Sequence, residues 1–239
     1  MRASRPLAIA LLLLPLLLTA CGSAPPPLAF EHATRISVKR ICVAPVGIPE
    51  HAEVTIMNPI GAGFGVLGTL IETRREAAAS VEMAGVLAKA HYEFGIALTN
   101  AVSIAMRKAG FTVSRGEGLR PPKEREKFLS QYPKRAQVDA YLDVYAPYVG
   151  FQALRSSAEY RPRIEIVARL VDTRGATLFQ RRIIYGTSSV EDEDALVVAG
   201  DDNAIFRDRD SLQSNPLTTA RALQGAIDSV AWELARQFM

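Results

Sequence analysis

Two apolar/polar alternations joined by a tight turn constrain this chain most. Ala140, Leu142, Val144, Ala146 and Tyr148 alternate with Tyr141, Asp143 and Tyr145. Ile164, Ile166, Ala168 and Leu170 alternate in the same way with Arg163, Glu165 and Arg169. A period of two puts each set on its own face of a strand, and only one face of each is suited to a dry core. Asp172-Thr173-Arg174-Gly175 supplies turn residues, and Thr177 to Tyr185 reads as the returning strand of a hairpin. A sheet with one apolar face needs a second layer, and the flanking sequence offers helices.

A long helix starts at Thr69 or Thr73, because Thr69-Leu70-Ile71-Glu72 and Thr73-Arg74-Arg75-Glu76 both match the capping box. Its stripe of Leu87, His91, Phe94, Leu98, Ala101 and Ala105 steps by fours and threes along one face. Gly85 and Gly95 interrupt it at about 1 kcal/mol each and permit close approach of a neighbour. Arg107, Lys108 and Gly110 suit its end.

Ile36 to Pro45 reads as a first, buried strand and Phe111-Thr112-Val113 as a short one. Pro121-Pro122 opens a charged helix to about Tyr132. Asn215-Pro216 starts a last helix that buries Leu223, Ile227, Val230, Leu234 and Phe238. The expected fold is α/β (α+β): one mixed sheet of about five strands, with the long helix and the C-terminal helix packed on it.

The amino terminus carries a different signal. Arg2 and Arg5 precede the apolar run Leu7 to Leu18, which is interrupted by Pro15. Those 12 residues are too few to span a bilayer core, which needs about 20 helical residues. Leu18-Thr19-Ala20-Cys21 ends the run and resembles the lipobox of bacterial lipoproteins. The resemblance implies cleavage before Cys21, acylation of its sulfur and a periplasmic domain. An ordinary secretory signal and a transmembrane anchor are the alternatives. Gly22, rather than Asp, after the cysteine favours the outer membrane over the inner under the sorting rule of that family. One acyl chain holds marginally at about 0.8 kcal/mol per buried methylene, whereas two or three hold firmly.

The domain division follows: 1–20 signal peptide, 21–35 lipidated and extended tether with Pro25-Pro26-Pro27, and 36–239 a single periplasmic domain. Removing the leader takes two of the 28 basic residues and none of the 25 acidic ones, leaving a net charge of +1. That balance points away from nucleic acid. Cys42, in an apolar run, reads as a buried small hydrophobe.

The layout also resembles the α/β domain shared by the amino-terminal domain of TolB and the curli-secretion lipoprotein. The resemblance is carried by Ile41-Cys42-Val43-Ala44-Pro45, by Ala109-Gly110-Phe111 after the long helix, and by Ala168 to Leu178 with its Val-Asp and Gly turn. It implies an envelope compartment more than a particular task.

Several segments invite sharper readings. Residues 54–71 carry no charge over 18 positions and contain Gly61, Gly63, Phe64, Gly65 and Gly68, so membrane or partner contact stands against a glycine loop. Gly63 to Gly68 matches a dinucleotide fingerprint by letter, but the preceding strand is expected to end near Pro45, far upstream of where that site needs it. No cofactor is therefore expected. The acidic stretch 191–210 reads as a solvated loop rather than a calcium site. His91 reads as a packed helix residue, and Tyr141, Tyr145, Tyr148, Phe151 and Tyr160 as sheet packing or an aromatic contact surface. No catalytic set assembles from spacing. The expected role is non-enzymatic: a membrane-anchored partner-binding or assembly component facing the periplasm. The alternative is an oligomeric export or membrane-inserting element that uses 54–71.

Overall fold

The computed structural model describes residues 26–58, 65–118, 120–155, 159–187 and 194–239. Its element order is α1 (His32–Ser37), β1 (Arg40–Val43), β2 (Glu53–Asn58), α2 (Gly65–Lys89), α3 (Phe94–Lys108), β3 (Thr112–Arg115), β4 (Ala140–Arg155), β5 (Tyr160–Asp172), β6 (Thr177–Tyr185), β7 (Leu196–Val198), α4 (Arg209–Ser214) and α5 (Pro216–Arg236). The strands form one mixed seven-stranded sheet, ordered β3-β1-β4-β5-β6-β7, with β2 also on β4. The expected count of about five strands is thus too low. The two additions are β2, inside the charge-free segment, and β7, inside the acidic stretch.

β4 organises the sheet. One of its edges pairs antiparallel with β5 from Ala140 to Ala153, with a register shift between Tyr145 and Tyr148. The other edge takes β1 at Ala140–Leu142 and β2 at Gly150–Arg155, both parallel. Gly47 bridges the two at Tyr145. A Cβ on Gly47 would collide with the Arg125 carbonyl, and one on Gly150 with the Glu53 carbonyl, so both glycines are fixed by close backbone approach.

The β5–β6 hairpin forms as the alternation requires. Asp172 Oδ1 accepts from the Arg174 and Ala176 N–H groups, both at 2.8 Å, and Gly175 takes φ 94°.

The helices cover one face. Leu98, Val102 and Met106 of α3 and Leu223, Ile227, Val230 and Leu234 of α5 are fully buried against Leu142, Val144, Ile164, Ile166 and Leu170. Each such side chain contributes about 1.5–3 kcal/mol by leaving water.

The single long helix is in fact two. His91 adopts φ 51°, the Tyr92 N–H donates to the Leu87 carbonyl (3.0 Å) and the His91 N–H to the Ala88 carbonyl (3.0 Å). This is a Schellman cap made by a histidine. His91 is therefore exposed at a corner rather than packed on the stripe. Of the two interrupting glycines, Gly95 has the close neighbour, with Ile48 Cδ1 2.5 Å from where its Cβ would stand, whereas Gly85 faces open space.

The tether also differs from an extended, solvated chain. The Leu28 N–H donates to the Gln180 carbonyl (2.8 Å) and the Gln180 N–H returns the bond to Leu28 (2.9 Å). Phe30 meets Phe238 edge-on at 4.9 Å, and residues 32–37 are helical. The prolines end early enough that Leu28 adds to the edge of β6 and Phe30 packs on Phe238.

Candidate functional site

The face of the sheet opposite the helices carries Tyr141, Asp143 and Tyr145 of β4 with Arg169 of β5, as the register Asp143↔Arg169 requires. Residues 120–138 cross this face as a strap. Pro121-Pro122 does not open a helix there, since only Pro122–Glu124 forms a single 3-10 turn. Arg120 binds this stretch from the side: its Nη1 donates to the carbonyls of Glu124 (3.2 Å) and Lys127 (2.7 Å).

Arg120 is the centre of a buried cluster. Its Nε donates to the Pro45 carbonyl (3.1 Å), and its Nη2 to the Val144 carbonyl (3.2 Å) and to Asp143 Oδ1. The side chains of Arg120 and Asp143 are 3% and 0% exposed. Asp143 Oδ2 accepts from the Leu129 N–H (2.7 Å) and the Tyr132 hydroxyl (2.6 Å). Arg169 Nη2 donates to the Tyr132 oxygen (2.9 Å), and its guanidinium lies over the Phe128 ring at 4.2 Å. Burial, reinforced by the Asp143 charge, pushes the Tyr132 phenol above its ordinary value, so it remains a donor. Tyr132 stacks on Tyr141 at 5.1 Å, and Phe128 meets Tyr145 edge-on at 5.0 Å.

Two concavities flank the strap. An open groove of about 1080 Å³ is lined by Tyr132, Lys134, Arg135, Arg169, Asp172 and Arg174, among others. A smaller one of about 310 Å³ runs under the strap past Cys42, Ala44, Arg120 and Tyr141. Cys42 is buried, as its apolar neighbours require. In the cluster between them, Arg120 spends its donors on carbonyls and one carboxylate, which fixes the strap to the sheet.

The residues singled out from sequence fall elsewhere. Cys21, Gly61, Gly63 and Phe64 lie outside the described residues. Gly65 and Gly68 stand in the first turns of α2. Val54 to Asn58, the start of the charge-free segment, belongs to β2, and Val54 is buried. β2 thus ends much closer to the glycines than Pro45 does. The dinucleotide unit still does not form, because the next strand, β3, pairs with β1 and not with β2.

The acidic stretch contributes β7, a two-way bridge between Phe206 and Tyr160, and the Asp208 cap of α4. Among the described residues no group of carboxylates, histidines or cysteines is arranged to hold a metal ion. The tyrosines pack rather than form an exposed patch: Tyr148 shares a hydroxyl bond with Thr55 (2.8 Å), and Phe151 meets Phe206 in the core. Sequence reasoning missed the Arg120–Asp143–Tyr132–Arg169 cluster. Its one visible signal was Asp143 at the centre of an otherwise apolar and aromatic strand.

No family model and no curated protein matches the sequence. Among solved structures, a DUF330-family protein from Xanthomonas campestris aligns with 89% of this chain and 88% of its own, at 13% identity and a TM-score of 0.44. The PelC dodecamer from Paraburkholderia phytofirmans aligns with 66% of this chain and 73% of its own, at 12% identity and a TM-score of 0.30. Among the described residues, no helix is long and apolar enough to cross a membrane.

Proposed function

We propose that this chain is a bacterial envelope lipoprotein, acylated on Cys21, whose α/β domain binds another envelope component and is not an enzyme. The observation that carries the reading is Leu18-Thr19-Ala20-Cys21 at the end of a 12-residue apolar run behind Arg2 and Arg5. Gly22 favours the outer membrane, with the domain in the periplasm. The anchor confines the domain to a thin layer and raises its effective concentration toward membrane-bound partners.

The structure supports a binding role in one respect. The buried pair Arg120 and Asp143 holds the strap in place, and so shapes both grooves as fixed walls. A preformed concave surface loses little freedom on binding. Membrane insertion by residues 54–71 is the weaker reading. With Val54 to Asn58 in the sheet, 13 residues remain, short of the roughly 20 that a span requires.

The experiment is in-cell crosslinking from the grooves, with photo-reactive residues at Lys134 and Arg174, followed by mass spectrometry of captured proteins. The expected result is one recurrent envelope protein, lost when Cys21→Ser releases the chain from the membrane. Turnover of a substrate by the purified chain, with no recurrent adduct, would overturn the reading.

A further inference from the structure

We infer that the domain lies on the bilayer by one defined corner, which recognises anionic lipid headgroups; this rests on the acylation of Cys21 proposed above. From Pro26 onward the N-terminal segment is held against the domain. It is pinned by the two-way Leu28–Gln180 bond pair, by Gln180 Nε2 donating to the Pro26 carbonyl (2.9 Å), and by Phe30 against Phe238. Arg35 then donates to the Ala109 carbonyl and lies over the Phe111 ring at 4.4 Å. Phe238 also touches Phe111 (5.8 Å) and Phe179 (4.5 Å). These contacts gather the end of α3, the end of α5, the start of β6 and the N-terminal segment at one corner.

That corner has the chemistry of a headgroup surface. Ile36 and Met239 are 72% and 61% exposed, and Leu28 on the pinned N-terminal segment is exposed as well. Lys39, Arg107 and Lys108 are exposed and make no ion pair among the described residues. Three acids nearby are already paired, Asp139 with Arg40, Asp172 with Arg174 and Glu233 with Arg236, which leaves Glu31 as the opposing charge. An anionic surface attracts this end of the domain.

The tether length agrees. Leu28 runs antiparallel to Gln180, so Pro26 lies level with Arg182, five positions or about 17 Å from Thr177 at the start of β6. Five links separate Cys21 from Pro26, and they reach at most about 17 Å. At full extension the acylated cysteine can therefore come level with the corner.

The test uses the membrane-purified protein in vesicles of phosphatidylcholine with and without phosphatidylglycerol. Ile36→Cys, Met239→Cys and, at the far end of β4, Leu154→Cys each carry a polarity-sensitive maleimide dye. Buried Cys42 does not compete for the dye, and neither does an acylated Cys21. The expected result is a blue shift and protection from an aqueous quencher at positions 36 and 239 in phosphatidylglycerol vesicles, reversed by high salt, with position 154 in water throughout. K39Q/R107Q/K108Q should lower the docked-to-undocked ratio about fivefold per cation lost, roughly a hundredfold in all. Salt reversal on the unsubstituted background gives the same reading without relying on that variant's folding. Equal accessibility at positions 36, 239 and 154 in both vesicles overturns the proposal. Intact mass of the same sample reports the lipid separately. An acylated chain with no protected corner sinks only the docking surface, whereas a chain without lipid sinks the proposed function and this inference together.

Discussion

Removing the Asp143 carboxylate should detach the strap before it unfolds the domain. Asp143→Ala leaves the Arg120 guanidinium buried with its carbonyl partners but no counter-charge, and it deprives the Leu129 N–H and the Tyr132 hydroxyl of their acceptor. Breaking a buried pair from one side destabilises by about 3–5 kcal/mol. Arg120 keeps the carbonyls of Pro45, Glu124, Lys127 and Val144, which places the expected loss near the lower figure, about 3 kcal/mol. Against a total stability of roughly 5–15 kcal/mol, that is a large fraction.

The assay is urea unfolding of the wild type, Asp143→Ala, Arg120→Met and the double variant, with limited proteolysis at Arg125 and Lys127 run alongside. The double variant should lose less than the sum of the singles, with a coupling of at least about 1 kcal/mol. Strap cleavage should accelerate before global unfolding does. A loss below about 1 kcal/mol for Asp143→Ala, with cleavage unchanged, would refute the argument that this pair holds the strap.

Gly150→Ala should destabilise by about 1–3 kcal/mol or more, because the new methyl meets the Glu53 carbonyl and must separate β2 from β4; thermal unfolding measures it. Burial, then Glu126 and Glu76, raises the Glu53 carboxyl above its ordinary value, so that stabilising contribution is full at low pH and fades as pH rises through the raised value. Glu53→Gln should therefore raise the Tm at neutral pH and leave it nearly unchanged under acid conditions. The Arg40 hydrogen bonds hold Asp139 down to about 2, so its contribution is full above the ordinary aspartate range and fades as pH falls toward 2. The pair is partly exposed, so Asp139→Asn should lose less than about 1 kcal/mol at pH 7 and nothing at the acid limit, as unfolding curves at several pH values would show.

The sheet was legible where periodicity was unbroken. Ile164 to Leu170 and the Asp172–Gly175 turn declare their register because one face is dry and the turn residues admit a single geometry. β2 was not legible, since Val54 to Asn58 sits in a charge-free run where a strand edge, a loop and a helix start read alike. The break at His91 was hidden for a related reason: a left-handed histidine carries no glycine or proline to mark it. The strap cluster joins Arg120 to Asp143 across 23 positions and to Pro45 across 75, and no local pattern encodes a contact of that span. Only the isolated carboxylate in β4 hinted at it. The outward face of the N-terminal segment was read as free tether because prolines dominate its start, while Leu28 and Phe30, which pin it, follow just after them.

One measurement bears most directly on what this chain is: the intact mass of the native protein extracted from cell membranes. The expected species is a polypeptide that begins at Cys21, heavier than residues 21–239 by its acyl groups. An unmodified sulfur, or a chain that still carries its first 20 residues, would contradict it.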